Sequence, residues 1–587
     1  MSATDLAAHL RALDTALRAE QAADADEHAR LDALPPDEQL AVGHAWPPLR
    51  LVDAVRDGPR VRVTVDAPRG VPLHDGIGAG DPVWLDHGGA AWPAVVDDVD
   101  PHRAELRLDR GRQALAPGVA RVRRRHDPTT WQRYRAALRT AGARPNTVAA
   151  QLLAGPPAQE PGDADLAGLD AAQRRAAHHA LHADGLALVW GPPGTGKTVL
   201  LGKVLAALVR RGERPWALAD SNAAVDHLAR TARAEGLDVV RLGPTSRIGA
   251  DLADCRLDAR IAASVLGPTL ATLDRELVRA WGTPAAPRLL RERQALWEQA
   301  RDAVLASAQV VATTFGTLAR VAETLPAPTT AVVDEATQPL EPAVWVAVPH
   351  VERLVLAGDP AQLGPVVHVA GSPLEQSALQ RLVAAGAPAP MLEVQHRMAP
   401  ALRELVAPVY GPAYVDAPST RQPPVLELPA LWIDTAGAGA EIRDPVTRSL
   451  YEPVEIALVA QVVAALRAAG LDPADIGVIA PYSAQVSRLR AQLADVEVAT
   501  VNAFQGRERD AIVASFVRAN PDGELGFVAD ERRLTVSLTR ARRQLVLIGD
   551  SGTLGRHPRF AAVLAHLADL GAIQSVWSPP WDAALPT

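Results

Sequence analysis

Residues 191–198 read Gly-Pro-Pro-Gly-Thr-Gly-Lys-Thr, which satisfies G-x-x-x-x-G-K-[ST]. The residue types explain the spacing. Gly191, Gly194 and Gly196, with Thr195 between the last two, let the backbone curl until its N–H groups face a chain of phosphates. The helix that opens there adds the positive end of its dipole. Lys197 reaches the β- and γ-phosphates, and the Thr198 hydroxyl is placed for Mg²⁺. The metal also needs an acid. Ala-Val-Val-Asp-Glu at 331–335 ends an apolar run with two carboxylates, and strand ends are where α/β folds present ligands. Asp334 is the candidate Mg²⁺ partner and Glu335 the candidate general base for an attacking water. Such a pair imply a nucleotide hydrolase. Kinases, transporters and GTPases share them, so they leave open what the hydrolysis drives.

Elements of the right kind flank these residues. Apolar runs at LALVW (186–190), PWALA (215–219), AVVDE (331–335) and RLVLAGD (353–359) alternate with helical stretches, as in a parallel sheet with right-handed crossovers. A second series begins near 390, with LWID (431–434), IGVIAPY (476–482), AIVASF (511–516) and QLVLIGD (544–550). Upstream, Leu6, Leu10, Leu13 and Leu17 recur at helical spacing, whereas RVRVTVD from Arg60 alternates like a strand. The expected organisation is an N-terminal helical stalk (1–48), a β-barrel accessory domain (49–126) and a second stalk helix (127–153). Two α/β domains follow, over 154–368 and 369–587, the first carrying a helical insertion at about 245–305.

The bulk numbers are those of an ordinary globular protein, 48% hydrophobic and 22% charged. No apolar run is long enough for a membrane span, and no secretory signal is evident. The single cysteine, Cys255, excludes an internal disulfide and a Cys-rich zinc module, and fits a reducing cytoplasm. A net charge of −8 argues against a uniformly basic nucleic-acid coat but allows a basic groove. Lys197 and Lys203 are the only lysines. The abundance of Ala, Pro and Arg points to a GC-rich bacterial genome. A chain that avoids lysine still keeps one where phosphate chemistry asks for it.

Further motifs carry a resemblance to superfamily 1 helicases. Asp334-Glu335-Ala336-Thr337-Gln338 resembles their DEAxQ box, and Gly358 to Pro365 (GDPAQLGP) their motif III. Gln395-His396-Arg397-Met398 resembles motif IV, Phe504 to Asp510 (FQGRERD) motif V, and Leu538-Thr539-Arg540-Ala541-Arg542 motif VI. ATVNAFQGRERD and RRLTVSLTRAR look most like the subgroup with the nonsense-mediated-decay RNA helicase and the immunoglobulin-mu-binding helicase, which moves 5′→3′ on single strands. The resemblance covers residues ~169–550 and implies two RecA-like domains with ATP and Mg²⁺ between them. It makes Gln173 the reader of the adenine edge and Gln362 the sensor of the γ-phosphate. Arg397 and Arg540 become arginine fingers from the second domain, Arg542 a further nucleotide contact, and Glu508 a ribose contact. His396 stands where the subgroup usually has a Tyr that stacks on adenine. Asn502 replaces a usual Asp, and Thr535 a usual Asn.

The same resemblance implies a nucleic-acid track along Ser221, Asn222, Thr313, Thr314, Pro481, Tyr482, Thr500 and Asn502. Small hydroxyl and amide groups suit phosphate and sugar contacts that read no base. Eight arginines between Arg121 and Arg144, with Trp131 and Tyr134 among them, read either as an electrostatic strand contact or as a solvated helix face. The expected partner is single-stranded DNA or RNA, DNA slightly favoured. The expected form is a monomeric motor without the regulatory zinc module of the decay helicase. The motifs serve equally an ATP-gated clamp or nucleoprotein remodeller, or an ATPase that serves a protein partner.

Overall fold

The structure, a computed structural model, describes residues 3–57, 60–71, 73, 76–108, 115–160, 162–164 and 166–585. Strands β1 (Leu49–Asp57), β2 (Arg60–Asp66), β3 (Pro82–His87), β4 (Ala90–Val99), β5 (Arg103–Leu108) and β6 (Gly118–Arg124) form a closed barrel in the order β1-β2-β5-β4-β3-β6. Strand β2 shows why. Val61, Val63 and Val65 fill the interior while Arg62 is exposed, the two-residue period of a half-buried strand. Closure removes the sheet edges that would otherwise invite pairing.

The first α/β domain is a parallel sheet of β7 (Leu186–Trp190), β8 (Trp216–Ala219), β9 (Val239–Leu242), β10 (Val310–Thr314), β11 (Thr330–Val333) and β12 (Arg353–Gly358), in the order β7-β12-β11-β8-β10-β9. The second holds β13 (Ala430–Asp434), β14 (Ile476–Ala480), β15 (Glu497–Thr500), β16 (Arg509–Ser515), β17 (Ala541–Gly549) and β18 (Ile573–Ser575), also parallel, in the order β15-β14-β16-β17-β13-β18. These are the tandem RecA-like sheets of the expected fold class, with the barrel beside them. Strands β9, β10, β15 and β18 lie outside the apolar runs; β9, β15 and β18 are short sheet edges, paired on one side only, that carry little pattern, whereas β10 is a central strand.

One domain boundary differs from the expected one. Leu374, Ala378, Leu379 and Leu382 pack in the core of the first sheet, and the Leu392 N–H donates to Trp190 O at 2.9 Å. The chain therefore leaves the first domain near residue 392 and not at 369. The expected N-terminal stalk is the helix Ala3–Asp32, whose Leu6, Leu10, Leu13 and Leu17 join that same core. The insertion comprises helices Leu257–Ala263, Gly267–Ala280 and Ala286–Ser307, the last two closed on Leu273, Leu277 and Leu289. The arginine cluster divides between two elements: Arg121 and Arg123 lie on strand β6 and bind Gln39 and Asp86, whereas Arg135 lies on helix Thr129–Ala143, binds Asp14 and follows the buried Tyr134. Among the described residues no helix is long and apolar enough to cross a membrane.

Buried carboxylates fasten the long helix to the motor. Glu20 accepts the N–H groups of His368 (2.8 Å) and Val369 (3.0 Å). Glu341 takes the His9 ring at 2.7 Å and Arg381 Nη2 at 2.8 Å. Burial pushes the Glu341 carboxyl up, but His9 and Arg381 more than reverse this and hold it at about 2. A carboxyl depressed in the folded state adds stability above its ordinary value of 4.5 and loses it as pH falls toward about 2. The depression corresponds to about 3 kcal/mol. Glu341→Gln is therefore expected to lower the urea midpoint clearly at pH 7, with the gap from wild type narrowing as pH falls to 3. A constant gap would show that the charge of Glu341 does not carry the effect.

Candidate nucleotide site between the two sheets

A cavity of about 890 Å³ lies between the two domains. Strand β7 leads into the loop 191–196 and the helix Lys197–Arg210. Gly194 and Gly196 both have φ +71°, left-handed backbone that only glycine adopts freely. At Gly194 a Cβ would also lie 2.6 Å from the Cβ of Arg397, so the second domain's backbone closes directly onto the loop.

Lys197 Nζ lies 2.7 Å from Asp334 Oδ1 and 2.6 Å from Glu335 Oε1. Burial works against the lysine's charge, but the two carboxylates outweigh it and raise its pKa. Burial likewise pushes Asp334 up, and Lys197 with the Thr198 hydroxyl brings it below the ordinary value. Thr198 Oγ1 and Asp334 Oδ2 are 2.8 Å apart. Adjacent oxygens on an octahedral Mg²⁺ with bonds of about 2.0–2.1 Å are separated by about 2.9 Å, so this hard-oxygen pair fits the ion. Glu335 follows with φ +51°, a left-handed conformation that costs a non-glycine residue of order 1–3 kcal/mol. Its N–H donates to Asp334 Oδ1 at 2.8 Å, which turns the Glu335 side chain toward Lys197.

The second domain supplies the remaining cations. Arg540 is buried; its Nη2 donates to Gln362 Oε1 at 3.1 Å and to Thr539 Oγ1 at 2.7 Å. Burial, with the Arg397 charge, pulls Arg540 down to about 10, which leaves it cationic at neutral pH. Gln362 Nε2 in turn donates to Asp359 Oδ2 at 2.7 Å, so Gln362 links the domains. Arg397 forms an ion pair with Glu508, and Glu508 accepts Arg542 Nη2 at 2.6 Å. His396, Glu508 and Arg542 all line the cavity, and the His396 N–H donates to Gly194 O at 2.8 Å.

Several expected residues lie elsewhere. Gln173 does not line the cavity: its Nε2 donates to Thr195 O at 2.9 Å and its Oε1 accepts the Asp170 N–H at 3.0 Å. Its amide closes a helix cap against the phosphate loop. Ser221 and Asn502, assigned to the strand track, line the nucleotide cavity. Thr313 is fully buried with its hydroxyl on Leu242 O at 3.2 Å, and Thr314 is buried as the cap of helix Phe315–Val321. The buried Tyr482 hydroxyl accepts Arg518 Nη1 at 3.2 Å. These three side chains face protein, which the β-strand and cap environment requires of buried polar groups. Asn222, Pro481 and Thr500 are half-buried; Asn222 Oδ1 accepts Arg241 Nη2 at 2.9 Å and Thr500 caps helix Val501–Phe504.

Two residues the sequence reading missed complete the interface. The Tyr410 hydroxyl donates to Asp359 Oδ2 at 2.7 Å, and the Tyr414 hydroxyl donates to Pro193 O at 2.7 Å. Tyr410 ends the short helix Ala407–Tyr410 and Tyr414 follows the turn after it, buried aromatics of the kind any core contains, so no sequence signal marks them.

Two AAA domain families match the chain, one over residues 168–280 and 285–370, the other over 374–552. The DNA-binding protein SMUBP-2 of Rattus norvegicus is 32% identical over 451 residues, 70% of this chain and 45% of that protein. Regulator of nonsense transcripts 1 of Caenorhabditis elegans is 34% identical over 407 residues, 65% of this chain and 38% of that protein. The ATP-dependent helicase NAM7 of Saccharomyces cerevisiae is 32% identical over 446 residues, 70% of this chain and 44% of that protein. The matched region spans less than half the length of each of these relatives.

Proposed function

The chain belongs to superfamily 1 of the helicases, and from that premise we propose that it is an ATP-driven motor that moves 5′→3′ along single-stranded nucleic acid and separates duplexes. The observation that carries the reading is the composite cavity. Lys197, Asp334, Glu335 and Gln362 come from one domain, Arg397 and Arg540 from the other, so neither domain alone completes it. Catalysis follows from the placement. Glu335 accepts a proton from the water that attacks the γ-phosphorus, as the bond to the β–γ bridging oxygen breaks. Lys197, Arg397 and Arg540 balance the charge on the transferring phosphoryl group and on the leaving ADP. Mg²⁺, held by Thr198 and Asp334 when bound, supplies further charge neutralisation on the phosphate oxygens. Since the fingers and the phosphate loop sit on different domains, ATP favours the closed arrangement and product release relaxes it. Alternating grip on a strand turns that cycle into steps.

The strand contacts fall to Asn222, Pro481 and Thr500 and to main-chain groups of their loops, with DNA favoured over RNA. A monomer in a bacterial cytoplasm completes the proposal; the bacterial source rests on composition, since the relatives above are eukaryotic.

The test is ATP hydrolysis without polymer, with single-stranded DNA and with single-stranded RNA, using Lys197→Ala as the blank, beside duplexes with 5′ or 3′ overhangs. Stimulation by at least one polymer and unwinding from the 5′ overhang only are expected. Stimulation without unwinding would turn the reading to an ATP-gated clamp. No stimulation by either polymer would sink the translocase and point to a protein partner.

A further inference from the structure

Where the long helix ends, the segments leading into and out of the barrel meet it in a cluster of imidazoles and carboxylates. His28 and Asp32 lie one turn apart on helix Ala3–Asp32, His44 lies in the segment before β1, and His126 follows β6. His44 Nε2 is 2.8 Å from Asp32 Oδ1, and His28 Nε2 is 3.7 Å from Asp32 Oδ2. The rings of His28 and His44 meet edge to face with centroids 4.8 Å apart. Among the described residues this trio is the one group of three His, Cys, Asp or Glu whose ligand atoms all lie within 4.8 Å of one another. The His44 side chain is fully buried, and His28 Nε2, on the side of Asp32, is buried without a hydrogen-bond partner. Buried polar atoms left in that state are rare and call for a partner.

We propose that His28, Asp32 and His44 bind one divalent transition-metal ion, Zn²⁺ by preference, and that the ion clamps the long helix to the base of the barrel. The donor set is two imidazoles and a carboxylate, which suits zinc and disfavours Mg²⁺ or Ca²⁺, ions that seek oxygen alone. Zinc bonds of about 2.0–2.1 Å in a tetrahedron put neighbouring donors about 3.3 Å apart. The observed 2.8 Å to Asp32 Oδ1 and 3.7 Å to Oδ2 straddle that value, and no pair of donor atoms exceeds 4.8 Å, so side-chain shifts of about 1 Å bring one atom of each residue onto one ion. Asp32 keeps a third of its side-chain surface exposed, which leaves a route for the ion and a place for water as fourth ligand. Arg123 now shares Asp32, at 3.3 Å, but its Nε also holds Asp86 at 2.9 Å, so it retains a partner when the ion takes Asp32. The helix that would carry two of the ligands also carries Glu20, which binds the backbone at His368 and Val369, just after the segment with Gln362. An ion there sets the angle of the barrel against the motor.

The full chain, stripped with chelator, is titrated with Co²⁺ in excess Mg²⁺ while the visible d–d band is followed, and Zn²⁺ retained after dialysis is counted by mass spectrometry. One equivalent of each metal and an intense four-coordinate Co²⁺ band are expected. His28→Gln and Asp32→Asn, both at partly exposed positions that should tolerate the change, are expected to weaken binding at least about 10-fold each. Failure of the wild type to retain either metal would overturn the proposal. So would equal retention by the double variant, which would place the ion at Thr198 and Asp334 instead.

Discussion

Arg540→Ala is expected to lower ATP turnover by about 10³-fold or more, the effect of removing an arginine finger from a phosphoryl transfer. Its position makes the loss this large. Arg540 is only 2% exposed, it reaches Gln362 across the domain boundary at 3.1 Å, and its charge is not shielded by bulk water. A guanidinium held in place needs no reorganisation as charge develops on the phosphoryl oxygens. Arg540→Lys is expected to recover little, because the planar fork also holds Thr539 Oγ1 and Val536 O. Single-turnover hydrolysis measures the chemical step, and a fluorescent ATP analogue measures binding. The signature sought is a large fall in rate with a small change in affinity. A fall below about 10-fold would shift the finger role to Arg397.

Glu335→Gln is expected to cut turnover by about 10²–10⁴-fold, the range of a positioned general base. Glutamine keeps the shape and can still accept from Lys197, yet it cannot take the proton of the attacking water. Asp334 and Thr198 are untouched, so Mg²⁺ and ATP still bind, and the domains remain closed over unhydrolysed nucleotide. The variant should therefore hold a labelled single strand in the presence of ATP for longer than the wild type, because release awaits hydrolysis. Filter binding with and without ATP reads this directly. Turnover within a few-fold of wild type would remove Glu335 from the base role and direct attention to Gln338, whose Nε2 lies 3.4 Å from Glu335 Oε2.

The two arginines and two carboxylates behind these expectations were visible as residue types at fixed positions, but their working state was not. Arg397 is tied to Glu508, and Glu508 also to Arg542, an exchange of charge partners across 111 and 34 residues that no local pattern encodes. That Ser221 and Asn502 border the cavity between the domains, Asn502 bordering also the cavity beside Trp131 and Tyr134, was hidden for a similar reason. Ser221 caps helix Asn222–Ala234 and Asn502 lies in helix Val501–Phe504, each just past a strand end, and the direction in which a small polar side chain leaves such a helix start is set by the packing beneath it.

What the sequence determined by itself was local. A glycine-spaced loop before a helix, two carboxylates at a strand end and an alternating Val61-Val63-Val65 run depend on backbone geometry over a few residues, and short-range sterics enforce them. Only the tertiary structure decided which long-range partners these groups meet. It turned the Gln173 amide into a cap for the phosphate loop, brought the Tyr414 hydroxyl to Pro193, and buried Thr313 beneath Leu242. Those contacts join residues 22, 221 and 71 positions apart. They are fixed by how helices and sheets bury their apolar faces, and a buried polar group then takes whichever partner that packing leaves within reach.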